Sequence, residues 1–117
     1  MLIIAIHRMN VYFIRHAKSS WNNANLSDLE RPLNARGLET APKMADFLVK
    51  SQKFDSSCLV SSPAERAYTT AVYFANAIKI PPAAIIRKES LYYGSAIDYI
   101  ECVNFDNTNV KSMLIFG

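Results

Sequence analysis

The sequence predicts an α/β domain: a three-layer sandwich with a mostly parallel central sheet and helices on both faces. Three observations predict it. Short apolar, β-prone runs alternate with helical patterns about three times before a closing strand. Polar or proline-bearing breaks separate them, at Asn22-Asn23, Pro81-Pro82 and residues 104–109. Arg15 and His16 follow the first strand immediately, and Ser61, Ser62 and Arg66 follow the second, at the strand ends where such sheets bind ligands.

The elements read in order as follows. Val11-Tyr12-Phe13-Ile14 is a short apolar run suited to a buried strand, and a polar loop follows from His16 to about Asn34. Leu38, Ala41, Ala45, Leu48 and Val49 fall on one face at helical spacing. Pro42 interrupts that pattern, so the helix is expected to start near Thr40 or to bend at the proline, and to end near Ser51. The second strand is Cys58 to Ser61. Ser62-Pro63-Ala64-Glu65 then reads as a helix start, with Ser62 as N-cap, proline at the first helical position and Glu65 closing a capping box. Ala67, Ala71, Phe74, Ala75 and Ile78 form the core face of that helix, which Pro81-Pro82 stops. Ala84 to Arg87 is expected as a third strand. Ser95-Ala96-Ile97-Asp98 is another cap-like start, for a helix through Ile97, Ile100, Glu101 and Val103. A turn over 104–109 leads to the fourth strand, Ser112 to Phe116.

The 117 residues, half hydrophobic and one-fifth charged, suit one domain with one core. Met9 sits directly before the first patterned strand, so the expected organisation is an extension at 1–8 and a domain at 9–117. The apolar stretch at 1–8 is too short for a signal peptide and has no small-residue cleavage site. No apolar run reaches the roughly 20 residues that span a membrane. The net charge of +3 suits an anionic ligand. The basic residues are scattered without aromatic alternation, so a nucleic-acid partner is not expected. Cys58 and Cys102 match no metal or redox spacing and read as buried, reduced thiols of a cytoplasmic protein.

Arg15-His16 at one strand end and Arg66 near the start of a capped helix make a candidate anion site. Guanidinium forks match phosphate oxygens, and a helix start adds free amide donors. A neutral histidine held there can attack phosphorus while arginines stabilise the spreading charge. No cluster of carboxylates or Cys/His ligands suggests a metal or another cofactor, so the arginines supply the positive charge. Each piece alone is unspecific: an Arg-His pair after a strand is commonly a satisfied polar pair, and Arg66 alone would be an exposed helix residue.

The longer wording is specific. The run from Val11 to Asn22, with Arg15-His16-Ala17-Lys18-Ser19-Ser20-Trp21, resembles the strand and loop that open the histidine phosphatase superfamily, the phosphoglycerate mutase-like proteins. The Ala-Lys-Ser-Ser-Trp continuation resembles the SixA-type phosphohistidine phosphatases in particular. Leu26 to Gly37 and Ser61 to Ala71 are similar to that family's next segments, and Leu91 to Ala96 is a weaker match. The resemblance runs from about Asn10 to the last residue.

It implies that His16 is the nucleophile that becomes phosphohistidine, that Arg15 and Arg66 hold the phosphoryl oxygens, and that Ser19 and Asn22 contact the phosphate. Lys18 stands where the mutase branch has an acidic residue, and either meets an anionic substrate or faces solvent. Glu89, with Asp98 behind it, is the candidate general acid. An imidazole leaving group needs little acid help near neutral pH, which favours protein phosphohistidine over alkyl phosphates. The implied substrate is therefore a histidine-phosphorylated protein of a phosphorelay or phosphotransfer type. A small phosphomonoester, or phosphate binding without turnover, are the alternatives.

The family also carries a second histidine just after a late strand, and this chain ends at Gly117 where that histidine would follow. His7 matches nothing in the family. The resemblance thus implies a domain incomplete at its C-terminal end, with lowered turnover and association through the uncovered C-terminal side.

Overall fold

A computed structural model of the chain describes residues 9–103 and 110–117. The segment 1–8, with His7, and the turn at 104–109 lie outside the described residues. Four strands form one sheet: β1 (Asn10–Ile14), β2 (Ser57–Ser61), β3 (Ile86–Arg87) and β4 (Ser112–Phe116). All pairings are parallel, in the order β1-β4-β2-β3. Three α-helices accompany them, α1 (Ala35–Ser51), α2 (Glu65–Ile78) and α3 (Ala96–Val103).

The side-chain alternation of the strands divides the core into two layers. On one face Leu59, Leu114 and Phe116 pack against Ala45 of α1 and Ala71, Phe74 and Ala75 of α2, with Tyr12 and Ile14 joining from β1. On the other face Val60, Met113 and Ile115 pack against Cys102 of α3 and Leu91, with Val11 and Tyr99 alongside. Helices therefore cover both faces of a parallel sheet, and the expected sandwich is observed. Every residue of the central strand β4 is buried, as a strand covered on both faces requires. Cys58 and Cys102 are free, and burial raises both thiol pKa values.

Three boundaries differ from the sequence reading. α1 starts five residues before Thr40, because the Asn34 side chain accepts the Gly37 amide at 2.8 Å and caps it. Pro42 is simply accommodated inside that helix. α2 starts at Glu65 and not at Pro63. Ser62 still continues β2 along β4, since its N–H donates to the Phe116 carbonyl at 2.9 Å, and its Oγ accepts only the Ala64 amide in a turn. β3 is shortened to Ile86–Arg87 because Pro82–Ala84 forms a 3₁₀ turn. The expected start at Ser95 is seen: its Oγ accepts the Asp98 amide, and Asp98 Oδ2 accepts the Ser95 amide.

β1 is an edge strand among the described residues. Asn10, Ile14 and His16 bond to the β4 side, so Val11, Phe13 and Arg15 turn their backbone groups outward. Phe13 (58 % exposed) lies along this edge, flanked on α1 by Met44 and by Phe47 (67 % exposed).

Candidate active site

His16 leaves the carboxyl end of β1, and its N–H donates to the Gly117 carbonyl at 2.9 Å just past β4. The following loop is fastened at both ends. Ala17 N–H donates to the buried Thr70 Oγ1 at 3.1 Å, and that hydroxyl donates to the Arg66 carbonyl at 2.8 Å, tying the loop to α2. Further along, Asn34 N–H donates to the Lys18 carbonyl (2.9 Å) and Ser20 N–H to the Pro32 carbonyl (2.8 Å), so the loop runs beside the start of α1. Gly37 is required at this crossing, since a Cβ there would overlap the Lys18 carbonyl.

The half-buried His16 ring has its tautomer set by two contacts. Nδ1–H donates to the Ala17 carbonyl at 2.7 Å, which leaves Nε2 with its lone pair. Arg66 Nε–H donates to Nε2 at 3.3 Å. Burial lowers the His16 pKa, the Ala17 carbonyl opposes that, and the charges of Arg66, Arg15 and Arg31 lower it further. The ring is therefore neutral at pH 7, as a nucleophilic nitrogen requires.

Arg66 is buried, although guanidinium groups are seldom buried unless paired. Its Nη1 donates to the Asp28 carbonyl at 2.6 Å and its Nη2 to Asp28 Oδ2 at 3.0 Å. The same carboxylate accepts Arg31 Nη1 at 2.8 Å and the Tyr92 hydroxyl at 2.8 Å. The Tyr92 hydroxyl first, then Arg31, Tyr93 and Arg66, hold the Asp28 carboxyl well below the usual carboxylate range. Asp28 is thus an anchor that stays ionised. Arg31 is also buried; its Nη2 donates to Ser19 Oγ at 2.6 Å and its Nε to the Ser20 carbonyl at 3.0 Å. Its guanidinium lies 3.2 Å over the Trp21 ring.

These groups surround a cleft of about 550 Å³ lined by Arg15, His16, Ala17, Lys18, Ser19, Trp21, Arg31 and Arg66. His16 and Arg66 also border a second cleft of about 180 Å³, with Tyr92, Tyr93 and Gly117 on its walls. Of the residues singled out from the sequence, Arg15, His16, Ser19 and Arg66 therefore come together, and the exposed Lys18 joins them. Asn22 is exposed and lines neither cleft. Glu89 is likewise exposed and lines neither, so the geometry gives it no support as an acid. Asp98 is engaged in capping α3. Sequence reasoning assigned no role to Asp28, Arg31, Thr70 or Tyr92. The one available signal was Asp28 and Arg31 at helical spacing within a polar loop, which fits an ordinary surface ion pair equally well.

The histidine phosphatase superfamily (branch 1) profile matches residues 11–91, and the chain belongs to that superfamily. Among solved structures, the protein from Agrobacterium tumefaciens named as the phosphohistidine phosphatase SixA superposes with a TM-score of 0.81 at 26 % identity. That match covers 94 % of this chain and 69 % of the other. A protein histidine phosphatase SixA bound to tungstate gives a TM-score of 0.76 at 26 % identity, covering 93 % and 69 %. A SixA-named protein from Nakamurella multipartitia gives 0.71 at 22 % identity, covering 93 % and 58 %, and supports the fold alone. The chain thus spans about two-thirds or less of the length of these structures. No curated protein sequence matches it. Superfamily membership makes phosphatase chemistry the frame for this site. No described helix is long and apolar enough to cross a membrane.

Proposed function

We propose that this chain is a metal-independent phosphohistidine phosphatase acting on a histidine-phosphorylated protein, in the cytoplasm, with His16 as the nucleophile. The observation that carries the reading is the His16 ring itself: Nδ1 is tied to the Ala17 carbonyl, Nε2 accepts from Arg66, and the residue lines a cleft with four basic side chains besides the histidine.

The reaction runs in two displacements. Nε2 attacks phosphorus, the P–N bond to the substrate imidazole breaks, and its electron pair stays on that ring nitrogen, which takes a proton from water. Water then attacks the phosphoryl group on His16, the new P–N bond breaks, and orthophosphate leaves. Arg66 must release Nε2 for the first step, and its Nε–H can then turn to a phosphoryl oxygen. Arg15, with no described partner, is free to meet another oxygen, and Arg31 and Ser19 stand at the same wall. Donors fixed in advance at that position stabilise the charge that develops on the oxygens. The open cleft suits a phosphoryl group carried on a protein surface, and the SixA-named structures, one of them called a protein histidine phosphatase, support the same substrate class.

The test is the intact mass of the chain after incubation with a histidine-phosphorylated phosphotransfer protein, beside a His16→Ala control. A single acid-labile phosphate on the parent, missing from the control, is expected. Neither adduct nor released phosphate would leave an anion-binding site without turnover, and the same assay on a small phosphomonoester separates the remaining alternative.

A further inference from the structure

We propose that Trp21 is a specificity-determining residue of this site, stacking its indole on the imidazole ring of the substrate phosphohistidine. The proposal rests on the phosphohistidine reading above and adds the group that recognises the ring.

Trp21 is the chain's one tryptophan, and it is 77 % exposed. An indole is a large apolar group that ordinarily finds cover, so an exposed indole in the lining of the His16 cleft calls for a reason. It is also held in place. One ring face carries the Arg31 guanidinium at 3.2 Å. Each nitrogen of that guanidinium is engaged in turn, with the Ser20 carbonyl, Asp28 Oδ1 and Ser19 Oγ. The indole therefore lies against a fixed plane, with its other face open.

The remaining lining residues are polar, charged or small, and they suit the phosphoryl oxygens. Besides the nucleophile His16, Trp21 is the single aromatic among the described lining residues. In an in-line displacement the leaving nitrogen lies across phosphorus from the attacking Nε2, so the departing ring points away from His16. Trp21, backed by the Arg31 guanidinium, offers that ring a flat aromatic surface in the lining of the same cleft. Ring-on-ring stacking needs no charge on the substrate ring, and so it persists as the imidazole departs.

The experiment compares wild type, Trp21→Ala and Trp21→Phe on two substrates with the same scissile P–N bond: free phosphohistidine, which has the ring, and phosphoramidate, which does not. Trp21→Ala is expected to lower kcat/KM for phosphohistidine about tenfold, the scale of one aromatic stack, and to leave phosphoramidate within about twofold. Trp21→Phe is expected to restore most of the loss. Equal losses on both substrates would mean that Trp21 only props Arg31, and no loss on either would mean that it touches nothing; both overturn the proposal. If wild type hydrolyses neither small substrate, the functional reading stays with the protein-substrate assay above, and the stack is read by calorimetry in the His16→Ala background. A binding preference for phosphohistidine over phosphoramidate that disappears with Trp21→Ala would still uphold it. No such preference would sink it.

Discussion

His16 acts only as the neutral ring, and its lowered pKa sets where that form is lost. Burial and the surrounding arginines place the pKa below the ordinary 6.5, so the acidic limb of kcat/KM is expected below pH 6.5. Arg15→Gln removes one of the repelling charges and should move that limb upward, read from pH–rate profiles of the two proteins; a limb at or above 6.5 in wild type would contradict the assignment. Asp28 has a different task, because it stays ionised and holds Arg66, Arg31 and Tyr92 together. Asp28→Asn should lower kcat/KM by about 10- to 100-fold through misplaced arginines, with an unchanged circular dichroism spectrum. Tyr92→Phe, which removes one of those contacts, should cost less. At this scale the sequence was informative only where chemistry sits in a contiguous motif. Arg15 and His16 stand side by side, and Arg66 lies in a recognisable segment. The Asp28–Arg66 and Asp28–Tyr92 contacts close over 38 and 64 residues, and no spacing rule reaches that far.

At the scale of elements, the crossing of α1 and the loop after β1 decides how firmly the nucleophile is held. Gly37→Ala brings two opposing effects. Alanine improves helix propensity by about 1 kcal/mol, whereas its Cβ would overlap the Lys18 carbonyl, an overpacking that costs about 1–3 kcal/mol. The close contact is with backbone, which cannot rotate aside, so a net loss of stability and of activity is expected in thermal melts and assays. A higher melting temperature would show that the loop yields easily. The same crossing explains why the start of α1 was misread. Pro42 looked like a boundary by its missing N–H, while the Asn34 cap lies eight residues earlier in a stretch with no apolar periodicity to announce it. Ser62 was misread for the converse reason: the local wording of a capped helix was present, but the sheet claimed its amide first.

For the whole molecule, the alternation of strands and helices was legible because parallel sheets demand it, and the split of the core into two layers follows from the strand period. The strand order was not, since β4 inserts between β1 and β2 only through tertiary packing. One result is that, among the described residues, β1 lies at an edge, with outward backbone groups at Val11 and Phe13 and the apolar Phe13, Met44 and Phe47 beside it. Such an edge favours self-association. Light scattering should show mass rising with concentration, and Met44→Lys with Phe47→Lys should suppress the rise. A constant monomer mass for the parent across that range would show that the edge is protected in solution.

The central place of β4 also sets a timetable for the chain as it leaves the ribosome. β1 and β2 each find their principal partner in a segment made after them, and for β1 the wait is roughly a hundred residues, a separation that makes pairing slow. Until then β2 has only the two-residue pairing with β3. His16 receives its backbone anchor from Gly117 and Arg66 its place on a finished sheet in the same late event. A nascent chain stopped before β4 therefore carries every described residue that lines the larger cleft, in a form that has yet to become one.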